Sequence, residues 1–237
     1  MSNYLKLGWI DVIWAVFIFF SGAVLTGYAY RFLAGILNSE PYILSPVSTL
    51  TTYLLIYLVY YLVLLYPRQE KFRISYSLKG FGLFPIVLLL FIGQYFISEY
   101  VTGLIPTEGE FFGTLYQSMT NALLGGMNKY PEVTFISVCV TAPVLEEIFF
   151  RGFLLKGMLN NKVRPAKAIV ISALIFGGIH FYPWQVVGGV LSGLVLGLVF
   201  YKTGSLLSCT LLHFLNNFAA FLLFTKYKSL ETPDLGF

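Results

Sequence analysis

Glu146, Glu147 and Arg151 lie inside Thr141–Leu155, an apolar run that reads TAPVLEEIFFRGFLL. Ionisable groups in such a segment are costly in lipid. They normally face a bundle interior or a cavity, and they are candidates for function. Glu147 and Arg151 are at i and i+4, so they share a helix face, with the glutamate in the favoured N-terminal position. Glu146 is rotated by about 100° and lacks that partner. A spare buried carboxylate suits general acid or base work. The alternative is a single structural cluster of all three charges. On this helix alone the two readings weigh equally.

Further along, Phe176 and His180 share a face in FGGIH, and His213 and Asn217 share one in HFLNN. These are the chain's only two histidines. Taken singly, each has a bland reading: a histidine at a helix end, or a polar pair that hydrogen-bonds neighbouring helices. Together with a glutamate they support water activation. A glutamate and a histidine can hold and deprotonate a water, while a second histidine and an asparagine amide donate to a developing oxyanion. A zinc variant uses His180, His213 and Glu146 as ligands with one position open. Glu147 would then be free as base, although HExxH is absent. No serine sits in a nucleophile-elbow motif. Cys139 and Cys209 fall in apolar runs and read as small buried hydrophobes.

The elements that must position these groups are membrane helices. Of 237 residues, 57% are hydrophobic and 11% charged, against about 25% charged in an ordinary soluble domain. The sequence predicts an all-α, polytopic transmembrane helical bundle. Seven runs approach the roughly 20 apolar residues a crossing needs. They lie at about 9–31, 46–66, 81–104, 133–156, 166–182, 184–201 and 205–225. Breaks fall at Pro41, Pro46, Pro67, Pro106, Pro131, Pro165, His180–Pro183 and Gly204. The first run is too long for a secretory signal and is expected to stay as a helix; neither end carries a lipidation signal.

Arg68, Lys71, Arg73 and Lys79 follow the second run, and Lys156, Lys162, Arg164 and Lys167 follow the fourth. Both loops should be cytoplasmic. Lys6 and Lys202 then fall on the same side, and Arg31, Lys129, Lys226 and Lys228 on the other. The N-terminus is inside and the C-terminus outside, unless residues 107–130 hide an eighth crossing. In Phe111–Met127, Phe112, Leu115, Met119 and Leu123 share a face that excludes Gln117, Ser118 and Asn121. This stretch reads as an interfacial helix on the outer leaflet, or as a gate over a lateral opening. Gly189, Gly193 and Gly197 form a small-residue stripe for close helix packing. Tyr57, Tyr60 and Tyr61 read as ordinary membrane-helix aromatics.

Depth ties the polar groups together. At ~1.5 Å per residue, Glu146 is roughly 15 Å, His180 roughly 21 Å, His213 roughly 12 Å and Asn217 roughly 18 Å from the inner surface. All four fall near the middle of a core about 30 Å thick. That predicts one buried polar site near the bilayer midplane, able to hydrolyse an amide without a covalent intermediate.

EEIFFR (146–151), FGGIH (176–180) and HFLNN (213–217) resemble the EExxxR, FxxxH and HxxxN motifs of the CPBP family of intramembrane proteases. That family includes type II CAAX prenyl endopeptidases and the Abi, bacteriocin-processing relatives. The likeness covers roughly residues 131–225. It implies that Glu146 and His180 activate the water and that His213 and Asn217 form the oxyanion hole. Glu147, Arg151 and Phe176 would support the site, and no metal is favoured. The expected organisation is 1–130 as N-terminal helices with an outer segment, 131–225 as the catalytic core and 226–237 as a short tail. The expected partners are a peptide or membrane-protein substrate and the bilayer, with no nucleic acid. Short loops and the absence of organellar signals point to a bacterial plasma membrane. The competing class is a non-enzymatic self-immunity or scaffold protein that keeps the polar cluster for packing. A proton-coupled transporter lacks support, since neither broken helices nor repeat symmetry is evident.

Overall fold

A computed structural model describes residues 4–40, 43–76, 82 and 84–231. Pro41, Lys79 and the tail from Thr232, on which parts of the sequence reading rest, lie outside the described residues, as does the side chain of Lys228. Among the described residues the regular structure is helical, with one isolated bridge between Tyr4 and Lys71 and no strand. The helices are α1 (Trp9–Ile36), α2 (Ser45–Arg68), α3 (Phe84–Gly103), α4 (Glu110–Lys129), α5 (Pro131–Asn160), α6 (Pro165–Gly178), α7 (Pro183–Thr203) and α8 (Leu206–Glu231). Six of these, all but α4 and α6, are long and apolar enough to cross a membrane.

The two ends of the bundle differ in chemistry. At one end the N-terminal segment is laced to the basic loops. Leu5 N donates to Lys71 O at 3.2 Å and Leu7 N to Gly157 O at 3.0 Å. Arg68 pairs with Asp11, Lys156 Nζ donates to Arg73 O, and Lys167 lies over the Trp9 ring. At the opposite end α4 lies as a crossbar. Near its start, Phe112 and Tyr116 pack on Trp184 at the head of α7. At its close, Lys129 pairs with Glu40 in the α1–α2 connection. Both ends of α4 are therefore at the same end of the bundle, and it makes no eighth crossing. Gln117, Ser118 and Asn121 are exposed while Met119 is buried, as its amphipathic pattern requires.

The helix α6 ends at Gly178, earlier than the run to 182 suggested. Residues 179–182 form a turn in which Phe181 takes a positive φ of 63°, a conformation that sequence gives no reason to assign to phenylalanine. His180 thus sits in the turn, not on the helix. The glycine stripe packs internally. A Cβ at Gly193 would lie 3.0 Å from Ala173 Cα, and one at Gly177 only 2.4 Å from Val190 Cγ2. Bare backbones let α6 and α7 touch. Aromatic rings fill the middle of the bundle: Tyr60 stacks on Phe153 at 4.6 Å and Phe19 on Phe149 at 5.0 Å. Tyr60 also donates to Ala15 O, and Tyr57 to Leu145 O at 2.7 Å, so both tyrosines have structural partners.

Candidate active site

The helix α5 is not uniform. Its backbone widens into π-helical stretches at Ile136–Thr141 and Ile148–Leu155, on either side of Ala142–Glu147. Pro143 supplies a cause for the first, because its ring crowds the carbonyl four residues back and it has no N–H to offer the preceding turn. In a widened turn the Val138 carbonyl would look five residues ahead, to that proline. It accepts instead from Asn217 Nδ2 on α8, at 2.8 Å. One proline thereby makes the acceptor that fixes Asn217 against α5. Wide turns of this kind often occur at functional sites.

Glu147 and Arg151 are fully buried and joined at 2.7 Å, as their spacing predicts. Arg151 also donates to Gly193 O at 3.3 Å and lies 4.6 Å over the Phe176 ring. The close α6–α7 approach therefore also serves the ion pair. Glu147 does more than neutralise Arg151. Its Oε1 is 2.9 Å from His213 Nδ1, a contact between residues that spacing along one helix could not reveal. Since that oxygen already accepts from Arg151, Nδ1 of His213 is the donor. The other ring nitrogen, Nε2, is 3.8 Å from Glu146 Oε2. Glu146 is partly exposed where Glu147 is sealed, so the two adjacent carboxylates have separate environments.

Phe176 joins the histidines. Its ring is 5.3 Å from that of His180 and 5.4 Å from that of His213, both edge-on. His180 Nδ1 is 2.9 Å from Phe176 O, which orients the ring from within its own turn. His180, His213, Asn217, Asn216 and Phe176 all line one cavity of about 330 Å³. Met119 and Met127 of α4 close it from above, and Tyr95, Ser98 and Glu99 of α3 form a further wall. Glu146 is not among the lining residues; its carboxylate lies beside His213. Among the described residues Glu146 makes no ion pair or hydrogen bond with His180; the imidazole nearest its carboxylate belongs to His213. No three histidine, cysteine or acidic side chains among the described residues are grouped so as to hold a metal. Both cysteines are buried, and neither lines the cavity.

Glu99 is a lining residue that the sequence reading passed over. The signal was present: a carboxylate inside an apolar run is the same feature that singled out Glu146. Its place one turn from the end of α3 made it resemble an interfacial residue.

Comparison with curated proteins and with solved structures returned no match. Residues 129–219 match the family model described as Type II CAAX prenyl endopeptidase Rce1-like. The match begins at the last residue of α4 and ends within α8. It takes in Glu146, Glu147, Arg151, Phe176, His180, His213 and Asn217 and leaves out α1 to α3. Over residues 129–219 this integral, multi-pass membrane protein is thus similar to the Rce1-like type II CAAX prenyl endopeptidases.

Proposed function

We propose that the chain is a glutamate-dependent intramembrane endopeptidase in which Glu146 is the general base, and that residues 131–225 act as its catalytic unit. The observation that carries this reading is the convergence of both histidines and Asn217 on one cavity, with Glu146 3.8 Å from His213 Nε2. A water held between Glu146 and His180 gives its proton to Glu146 as its oxygen bonds to the scissile carbonyl carbon. The carbonyl oxygen becomes the oxyanion. Asn217 spends one amide hydrogen on Val138 O and offers the other to that oxygen. His213 donates from Nε2. Because Nδ1 is committed to Glu147, this donation requires both ring nitrogens to carry protons. As the C–N bond breaks, the proton on Glu146 passes to the leaving amine, with His180 placed to relay it.

Glu147 and Arg151 are positioning residues in this scheme. The scheme uses no metal, and activity is expected to survive chelation. In a bacterial plasma membrane the basic end faces the cytoplasm, which puts the N-terminus inside and the C-terminus outside.

The test compares Glu146→Gln with Glu147→Gln in purified, reconstituted protein. The first should fold normally and lose peptide hydrolysis, while the second should lose stability. Full biological function retained by Glu146→Gln, His180→Ala and His213→Ala alike would overturn the enzymatic reading and favour the scaffold.

A further inference from the structure

We propose that this site draws its substrate from the extracytoplasmic face, and that Glu99 at the cavity wall selects peptides carrying a lysine or arginine near the scissile bond. The proposal rests on the endopeptidase reading above for the bond that is cut, though not for sidedness or selection.

The first support is where the cavity opens. Most of its lining comes from the part of the bundle remote from the basic loops: the close of α3, α4, the start of α5, the end of α6 with the turn after it, and the first half of α7, while His213, Asn216 and Asn217 of α8 reach it from nearer the middle. Toward the basic end the bundle is solid. Phe149, Phe150, Phe153, Leu154, Leu155 and Leu206 are all at most 2% exposed. Among the described residues these side chains fill the space between the basic loops and His213. The basic loops mark the cytoplasmic face. A substrate must therefore enter from the opposite face or sideways from the outer leaflet, beneath α4. This is the wrong side for a prenylated cytoplasmic tail and the right side for an exported or membrane-spanning peptide.

The second support is charge. Among the described residues Glu99 is the one carboxylate in a lining that holds no lysine or arginine and is largely apolar. It is exposed and has no lysine or arginine partner among the described residues. Its position follows from packing. Ser98 Oγ lies 3.3 Å from where a Cβ on Gly188 would sit, and His180 Nδ1 lies 3.5 Å from the same point on Gly189. Glu99 is thus one residue removed from a wall that touches His180. A carboxylate lining a membrane cavity marks a substrate path, and an apolar surround strengthens its attraction for a cation. Glu108, Glu110 and Glu132 give the same end of the molecule an acidic approach, which draws cationic peptides toward it.

Two measurements test this on the full chain. Ser98→Cys should react with a membrane-impermeant maleimide in right-side-out spheroplasts and not in inverted vesicles, the two native thiols being buried. The reverse pattern overturns sidedness and does not depend on any activity. For selection, peptides matched except for Lys, Gln or Glu near the cleavage point are offered to protein in nanodiscs. The Lys-over-Glu preference in kcat/KM should fall about tenfold in Glu99→Gln, the scale of one hydrogen bond to a charged group, and invert in Glu99→Lys. An unchanged preference in both variants overturns selection. Binding of the same peptides to Glu146→Gln protein, read by fluorescence anisotropy, separates the two hypotheses. Glu99-dependent binding without any hydrolysis by the wild type sinks the endopeptidase reading and keeps selection. Hydrolysis with binding indifferent to Glu99 does the opposite.

Discussion

The helices α1 to α3 are as apolar as α5, α7 and α8, with mean hydropathies of 2.0, 1.8 and 1.6 against 1.8, 1.7 and 1.6 in their best windows, but they use their polar side chains differently. In the first group the threonine hydroxyls bond close to home, even though Tyr57 and Ser45 of α2 reach α5. Thr26 bonds Gly22 O one turn back and Thr52 across the α1–α2 contact, and Thr52 bonds Ser48 O. Every such bond has a local substitute. In the second group the polar atoms reach across the fold: His213 to Glu147, Arg151 to Gly193 O and Asn217 to Val138 O. Burial follows the same division in part, 39% in α5 and α7 against 22% in α2 and α3, while α1 and α8 are equal at 28%. Equal hydropathy therefore hides two architectures, one a lipid-facing sleeve and the other a framework whose polar groups depend on one another.

The strongest way to break that contrast is in the site. Glu146→Gln should lower kcat by about 10²–10⁴, the usual contribution of a positioned general base, with thermal unfolding in detergent unchanged. A comparable loss of stability would make Glu146 part of the framework instead. Arg151→Met comes next. It leaves Glu147 as an uncompensated buried charge and should cost about 3–5 kcal/mol, read as a lower unfolding temperature and reduced protein level. Adding Glu147→Gln should restore most of that stability, because the pair is then removed together. Activity should stay low even so, since His213 Nδ1 loses its carboxylate. Recovery of both would reduce Glu147 to a counter-ion.

Several of these features could be read from the sequence, and the ones that could not share a physical reason. Helix positions follow from hydropathy, and the Glu147–Arg151 pair from a spacing of four along one helix. The glycine stripe was legible as close packing because small residues at that period leave one face bare. Rotation between helices was not legible. Depth put His213 level with the glutamates, but nothing in HFLNN says which ring nitrogen meets which carboxylate, or that Glu146 stands nearer His213 than a direct partnership with His180 would suggest. The Asn217 anchor depends on a carbonyl released by Pro143, three helices earlier in the chain. The early end of α6 is followed by a positive φ at Phe181, which local preference opposes.

Glycine substitutions sharpen the contrast at intermediate size. Gly177→Ala would put a methyl 2.4 Å from Val190 Cγ2 and 2.6 Å from Val186 O. Backbone cannot yield as a side chain can, so α6 must move. The expected cost is about 1–3 kcal/mol, the range for overpacking. Activity should fall further than stability, since Phe176 precedes the substitution and His180 follows it. Gly27→Ala in α1 meets nothing within 4 Å. It should be neutral or slightly stabilising, because alanine is the better helix former. Parallel unfolding curves of the two variants provide the check, and equal damage would mean that α1 is packed against something the fold does not show.

The smallest expected effect is the most demanding test. Thr26→Val keeps the shape of the side chain and removes an oxygen that contacts Gly22 O at 2.7 Å and Thr52 Oγ1 at 2.7 Å. Gly22 O lies in the interior of α1 and keeps its backbone partner, and Thr52 keeps Ser48 O at 2.7 Å. No buried group is stranded. The loss should be about 0.6 kcal/mol, the average for a hydrogen bond between membrane helices, with kcat unchanged. Asn217→Leu is similar in bulk, but it strands the Val138 carbonyl and removes a donor from the cavity. Its cost in stability should exceed that of Thr26→Val severalfold, and it alone should lower turnover. If Thr26→Val proves as harmful as Asn217→Leu in both readouts, the first helices are part of the working framework, and the division between sleeve and site fails.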